Sequence, residues 1–281
     1  SGLIGQGGQG SVLNGVDTQT NEAVAVKIIH IANQTARLSF ESEYRAASKI
    51  STRIKNICKI KDFVVDEDYA YLIMKRYDCD LFSFAFEMRD TPLPEEEIKV
   101  LFAKICKALR ALHKKRIAHL DLKPENILLD LETMEPYICD FGSAFTSSKK
   151  KSNNRRSRAS IQAVPALGMR GTRKFSSPEM CLSPMCYDPF RADIYSLGVV
   201  LFTLCTGFFP QQNTDEQGQT STDFSYAKEI MPPTAYSLLQ SIVNPLPTER
   251  YSIDDILDHE WITGNNLPCR VKMAWRKISH Q

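Results

Sequence analysis

The eight cysteines of this chain include no C-x-x-C pair and follow no regular spacing, so neither a zinc site nor a disulfide framework is suggested. Reduced thiols in an intracellular protein, cytoplasmic or nuclear, are the expectation. No signal peptide opens the chain, and no long apolar run follows. The longest, Ile194 to Phe209, is broken by serine, threonine and glycine and is short for a membrane span. Internal repeats are also lacking. Acids are missing from one place in particular: Gly142 to Pro178 has none, yet carries nine bases (Lys149, Lys150, Lys151, Arg155, Arg156, Arg158, Arg170, Arg173, Lys174). The remaining chain holds 26 bases against 33 acids, net −7, so the overall +2 describes a cationic island on an acidic body. What is present suffices for a full core: 281 residues, 43% apolar and 24% charged. The start, two residues before Leu3 and Ile4, is abrupt, as in a domain excised from a longer chain.

The first 75 residues read as strand-rich. "GLIGQGGQGSVLNGVD", "EAVAVKIIHIA", "NICKIKDFVVDED" and "YAYLIMKRY" hold β-branched and aromatic runs bounded by turn residues. One helix interrupts them, with Phe40, Tyr44, Ala47 and Ile50 at helical spacing. Glu43 lies within that apolar stripe and Glu41 off it. A carboxylate on a buried face needs a cation. From Leu81 the pattern turns helical. "EEEIKVLFAKICKALRALHKK" puts Ile98, Leu101, Phe102, Ile105, Leu109 and Leu112 on one face, with acids in its first turn and bases in its last. "ADIYSLGVVLFTLCTG" is apolar nearly all round and predicts a buried central helix. The stretch "TSSKKKSNNRRSRASIQ" has no period and predicts a mobile segment. "QQNTDEQGQTSTD" reads as a polar linker.

Gly5, Gly7, Gly8 and Gly10 with Val12 spell G-x-G-x-x-G-x-V between two strand-like runs, where a dinucleotide fingerprint would open a helix instead. Further on, Ala25-Val26-Lys27 places a lysine in an apolar strand, costly unless its ammonium meets a phosphate or a carboxylate. Glu43 is the available partner; the alternative is two unrelated charges snorkelling to water. Then comes His119-Leu120-Asp121-Leu122-Lys123-Pro124-Glu125-Asn126 and, after a strand, Asp140-Phe141-Gly142. Asp121, Asn126 and Asp140 are oxygen ligands and bases on loops, suited to magnesium and to a hydroxyl proton, and Lys123 adds charge for a moving phosphoryl group.

These motifs, followed by Ser177-Pro178-Glu179, stand in the order of the protein-kinase signature, and the chain resembles the eukaryotic protein kinase family along essentially its whole length. The resemblance implies an α+β, two-lobed fold: a strand-rich N-lobe with one helix over residues 1–75, a hinge at 76–80, and a mainly helical C-lobe over 81–281 that includes an activation segment, 140–179. It implies ATP and Mg²⁺ as cofactors. Lys27, paired with Glu43, would hold the α/β-phosphates, Asp121 would be the base, Lys123 would contact the γ-phosphate, and Asn126 and Asp140 would hold the metal. Ile4, Val12, Ala25 and Leu128 would wall the adenine pocket, Met74 would gate its back, Lys75 and Tyr77 would belong to the hinge side, and Asp80 would face the ribose. Asp193 would brace the catalytic loop, Arg250 would pair with Glu179, and His119 would be a packed scaffold residue rather than a base.

"DLKPEN" and "GTRKFSSPE" resemble serine/threonine kinases, and "HLDLKPEN" with the buried helix is similar to the calmodulin-dependent group. The departure is Leu120, which stands where the pattern has arginine. The implied activity is transfer of the γ-phosphoryl of ATP to a protein serine or threonine, with autophosphorylation of the basic segment as a further expectation. The contrasting reading is a nucleotide-binding pseudokinase or scaffold, which loss of Lys27, Glu43, Asp121, Asn126 or Asp140 would favour. None is lost. Nucleic-acid binding by the island is disfavoured because Phe145 and Phe175 flank the bases rather than interleave with them. Glu125 reads either as an acid near the peptide groove that favours basic residues before the target hydroxyl or as a surface-exposed loop acid. Cys139 reads as a small apolar residue whose thiol an electrophilic ligand in the adenine pocket could reach.

Overall fold

The computed structural model of the chain describes residues 2–7, 10–32, 34–50, 54–147, 164–165, 168, 170–182, 184, 186–214 and 220–264. Gly8, most of the basic island and the serines at 148, 152, 157 and 160 lie outside them.

The N-terminal part is a five-stranded antiparallel sheet crossed by one helix. Its elements are β1 (Leu3–Gly7), β2 (Gly10–Val16), β3 (Ala23–His30), α1 (Gln34–Lys49), β4 (Ile60–Val65) and β5 (Tyr69–Lys75), in sheet order β1-β2-β3-β5-β4. Strand alternation decides which side chains meet. In β3 and β5 the pairs Ala25 with Met74, Lys27 with Leu72 and Ile29 with Ala70 share one face, so Lys27 sits among apolar residues on the inner side. Between β1 and β2 the turn depends on Gly10, whose φ is 137° and whose added Cβ would lie 2.1 Å from the Ile28 carbonyl oxygen.

The buried face of α1 differs from the expected stripe. Glu43 and Ala46 are its buried residues, while Tyr44 is 51% exposed and rests edge-on against Phe63 at 5.2 Å. The inner line of the helix therefore passes through the carboxylate, which is drawn to Lys27, and the tyrosine is left at the rim.

The rest of the described chain is mainly helical. It contains β6 (Cys79–Asp80), α2 (Glu95–Lys114), β7 (Ile117–Ala118), β8 (Ile127–Asp130), β9 (Glu135–Ile138), β10 (Phe145–Thr146), β11 (Val164–Pro165), α3 (Pro178–Leu182), β12 (Cys186–Tyr187) and α4 (Pro189–Thr206). After these come β13 (Gln211–Thr214), β14 (Thr220–Asp223), α5 (Ala227–Ile230), α6 (Pro233–Ile242), α7 (Ile253–Asp258) and α8 (Glu260–Thr263). The face predicted for α2 is buried in full. So is α4 along most of its length, capped by Asp188, which accepts from the Phe190 N–H at 2.9 Å, and closed by Gly207 at φ 78°. At Gly198 a Cβ would meet Val243 Cγ1 at 2.6 Å and Ile242 Cγ2 at 2.7 Å, so α4 and α6 pack at glycine distance.

The segment read as a polar linker is instead structured in part: β13 and β14 pair antiparallel, from Gln211 opposite Asp223 to Thr214 opposite Thr220. Its residues alternate no apolar face, which removes the usual strand signal. The seven described cysteines are free thiols. Among the described residues no helix is long and apolar enough to cross a membrane.

Candidate functional site

Three parts of the chain meet where the sheet faces the helical part: strands β1 and β2, the stretch between β7 and β8, and the stretch after β9. They enclose a cleft of about 280 Å³. Ile4, Gly5, Val12 and Ala25 line it from the sheet, and Met74 closes its back. Lys75 and Tyr77 line it along the connection from β5 to β6, and Leu128 and Cys139 from the helical side. Gly7 ends β1. The Lys75 ammonium turns outward, 2.8 Å from Asp130 and 5.2 Å from the Tyr77 ring. Asp80 lines the cleft but its carboxylate also accepts from the Ser83 N–H (2.9 Å) and hydroxyl (3.1 Å), fixing the turn Ser83–Glu87.

At the inner end, Lys27 Nζ donates to Glu43 Oε2 at 3.0 Å and to Asp140 Oδ1 at 2.8 Å. Lys27 is 7% and Glu43 2% exposed, so these are desolvated charges that stand only because they face one another. Burial works against the Lys27 ammonium, but the two carboxylates outweigh it and hold its pKa above the ordinary lysine range. Glu43 is pushed up by burial, against the pull of Lys27. Asp140 is also penalised by burial, yet Lys27 and the Gly142 N–H bring it below the usual carboxylate range. Its backbone takes the left-handed conformation, φ 61°. Among the described residues its hydrogen bonds, to Lys27 and the Gly142 N–H, all use Oδ1.

Beside it lies Asp121, 6% exposed. Its Oδ1 accepts from the Thr172 N–H at 2.7 Å, and its Oδ2 accepts from Asn126 Nδ2 at 3.1 Å and stands 3.6 Å from Lys123 Nζ. Lys123 Nζ in turn donates to Thr172 Oγ1 at 2.7 Å. Sequence reasoning did not single out Thr172 as a site residue. Its signal was the G-T step itself: Gly171 has φ 74°, and a Cβ there would lie 2.2 Å from the Leu120 carbonyl oxygen, so the threonine can approach only behind a glycine.

The loop carrying Asp121 is fixed from below. Asp193, fully buried, accepts from the backbone N–H of His119 (2.8 Å) and of Leu120 (2.7 Å), and faces His113 Nε2 at 2.8 Å. His119 accepts from the Asp121 N–H through Nδ1, so its Nε2 donates to the Cys139 carbonyl at 2.8 Å; it is a packed scaffold residue with no free ring nitrogen. Leu120, φ 61°, buries its side chain against Ala118, Met180, Tyr187 and Ala192, with Phe145 and Phe190 packed beside them. Arg250 grips Glu179 with two bonds of 2.7 Å. Cys139 is half-buried, and desolvation pushes its thiol well above the ordinary cysteine range, so it is a poor thiolate despite its place in the cleft.

The donor set fits ATP with magnesium. Asn126 spends its N–H groups on Asp121, leaving Oδ1 as an acceptor in the cleft it lines, and Asp140 lines the same cleft. One carboxylate and one amide oxygen make no cage by themselves. They suit a hard cation completed by phosphate oxygens and water. Lys27 would offer charge to the same phosphates.

A strand-rich part and a mainly helical part, with Lys27, Asn126 and Asp140 lining the cleft where they meet, define a two-lobed α+β fold. The profile of the protein kinase domain matches residues 1–262, and the chain belongs to that family. It is similar to a probable serine/threonine-protein kinase of Dictyostelium discoideum, 29% identical over 290 residues that cover 92% of this chain and 17% of that protein. It is also similar to serine/threonine-protein kinase D2 of Rattus norvegicus (27% over 291 residues, 99% and 32%) and of Homo sapiens (27%, 99% and 31%). The chain thus spans less than a third of the length of these relatives.

Proposed function

We propose that the chain is an ATP-dependent serine/threonine protein kinase with the site assigned above: lobes 1–75 and 81–281 joined at 76–80, and an activation segment 140–179. The observation that carries this is Asp121, held between Thr172, Lys123 and Asn126, the last of which lines the same cleft as the Lys27–Glu43–Asp140 cluster. Asp140 and Asn126 would hold magnesium, which would supply positive charge to neutralise the phosphates. Lys27 binds the phosphates and is aimed by Glu43. Asp121 accepts the proton of the acceptor hydroxyl, and Lys123 steadies the phosphoryl group in flight. Glu125, exposed at the cleft's edge, favours basic residues before that hydroxyl. Within the family, "HLDLKPEN" together with "ADIYSLGVVLFTLCTG" supports a reading in the calmodulin-dependent group.

Leu120 sharpens the reading. An arginine there needs an anion, which a phosphate on the activation segment supplies through charge-assisted bonds. Leucine inserts into an apolar cluster instead, so basal catalysis is independent of phosphate at this position. Phosphates on Ser147, Ser148, Ser152, Ser157 or Ser160 would act differently, cancelling part of the island's charge and changing how it lies on the peptide groove.

A degenerate peptide array with magnesium ATP tests the activity: label on serine or threonine is expected, and its absence from every peptide would refute the reading. Phosphatase-treated protein, with and without residues 147–160, tests the regulation. Silencing by dephosphorylation even after the deletion would exclude phosphate-independent catalysis; unchanged activity after deletion would exclude a pseudosubstrate role.

A further inference from the structure

Arg173 and Lys174 follow Thr172 directly, and the Thr172 N–H is 2.7 Å from the carboxylate assigned to take the acceptor proton. Consecutive Cα atoms are about 3.8 Å apart, so both cations arise within two steps of the reacting centre. Both are exposed, and neither makes an ion pair among the described residues. Lys123, by contrast, is already committed to Thr172 and Asp121.

Their backbone is fixed. The Phe175 N–H donates to the Thr172 carbonyl (2.9 Å) and the Ser176 N–H to the Arg173 carbonyl (3.1 Å), forming one tight turn. Gln212 of β13 donates to the Arg173 carbonyl at 3.3 Å, so the polar hairpin buttresses this turn. Lys174 Nζ stands 5.0 Å over the Phe209 ring, which packs edge-on against Phe175 at 5.8 Å and stacks with Phe82 at 6.1 Å. Lys174 is thus presented on an aromatic base with Arg173 beside it in the same turn, while a carboxylate, Glu125, stands at the cleft's edge. A charge pattern of this kind selects by attraction of one sign and repulsion of the other.

We propose that Arg173 and Lys174 are specificity-determining residues that select an anionic side chain, carboxylate or phosphate, within about three residues of the acceptor hydroxyl, the reach set by about 3.3–3.6 Å per extended residue. This rests on the kinase reading of the site. Arg173 matches either anion with its planar fork, and Lys174 adds a point charge.

The test uses the full chain with magnesium ATP and matched peptides around one acceptor: neutral flanks, aspartates on one side or the other, lysines in the same places, and phosphoserine in place of aspartate. An acid on one side is expected to raise kcat/KM about threefold to tenfold, mainly through KM, with the gain shrinking as salt rises. A larger gain with phosphoserine identifies phosphate as the preferred anion; an equal or smaller one identifies carboxylate. The double variant Arg173→Glu with Lys174→Glu should invert the preference toward lysine-bearing peptides, which a merely damaged fold would not do. Equal kcat/KM for all peptides at low salt, or a preference for acid that survives the reversal, overturns the proposal. Turnover of no peptide at all by the unaltered chain overturns the kinase reading along with it.

Discussion

The cleft is held by two regions that use opposite physics. At one end, Lys27 and Glu43 of the sheet part and Asp140 from the stretch after β9 form a largely buried cluster of three charges, in which each member is tolerable only because the others are present. On the helical side, the catalytic loop is held by backbone bonds to Asp193 and by the Leu120 side chain among apolar neighbours. The first arrangement is chemically specific and brittle: it fixes a cation where the proposed reading puts the phosphates. The second supplies position through packing and places no formal charge at Leu120.

The sharpest way to break this contrast is to remove charge from the three-charge cluster. Lys27→Met and Asp140→Asn are each expected to lower turnover by about 10² to 10⁴, because the phosphates lose a contact made in a water-poor site. Steady-state peptide phosphorylation is the measurement, and near-normal turnover by either variant would remove the assignment. On the other side, Leu120→Ala deletes buried methyl groups and is expected to cost about 2–4 kcal/mol of stability, read by denaturant titration. Its turnover at a temperature where it remains folded should fall far less than that of Lys27→Met. A loss as large as the Lys27 variant's would mean that packing, not charge, dominates both regions.

Cys139 lies between the two regions, with its carbonyl bonded to His119 and its side chain in the cleft. Alkylation there is expected to be slow, because the thiol is held protonated by burial, and slower again with ATP present. Equal labelling of Cys139 with and without nucleotide, followed by peptide mapping, would show that the cleft is not the nucleotide's seat.

The charged region was far more legible in the sequence than the apolar one. Lys27 announced itself as a lysine in an apolar strand and Glu43 as an acid on an apolar helix face, and one demanded the other. Asp121, Asn126 and Asp140 came with fixed spacing. The Leu120 cluster could not be read, because Phe145, Met180 and Tyr187 come from distant segments with no shared period. Thr172 was missed for the same reason: its partner Asp121 is 51 residues away. The β13–β14 hairpin was taken for a linker because a polar ribbon lacks the apolar alternation by which strands are recognised. Tyr44 was misplaced because hydropathy counts a tyrosine as inward and cannot foresee that a carboxylate takes the inner position.

The smallest effect should come from an ion pair that resembles the Lys27 cluster in chemistry but not in setting. Lys75 and Asp130 meet at 2.8 Å across the connection between β5 and β8, with the lysine side chain 52% exposed. The bond from Lys75 and those from Thr133 lower Asp130 to about 2, against 3.8 for a free aspartate. Because the folded value is the lower one, the pair's stabilisation is fully present above about pH 4 and is lost as pH falls through about 2. Solvent screening keeps it small: Asp130→Asn is expected to cost less than about 1 kcal/mol at neutral pH, with the difference from the unaltered chain shrinking as the pH is lowered below 4. Denaturant titrations of both proteins across that window, in low and high salt, measure it. A cost comparable with that of breaking the Lys27 cluster would mean that burial is not what separates the two kinds of ion pair in this molecule.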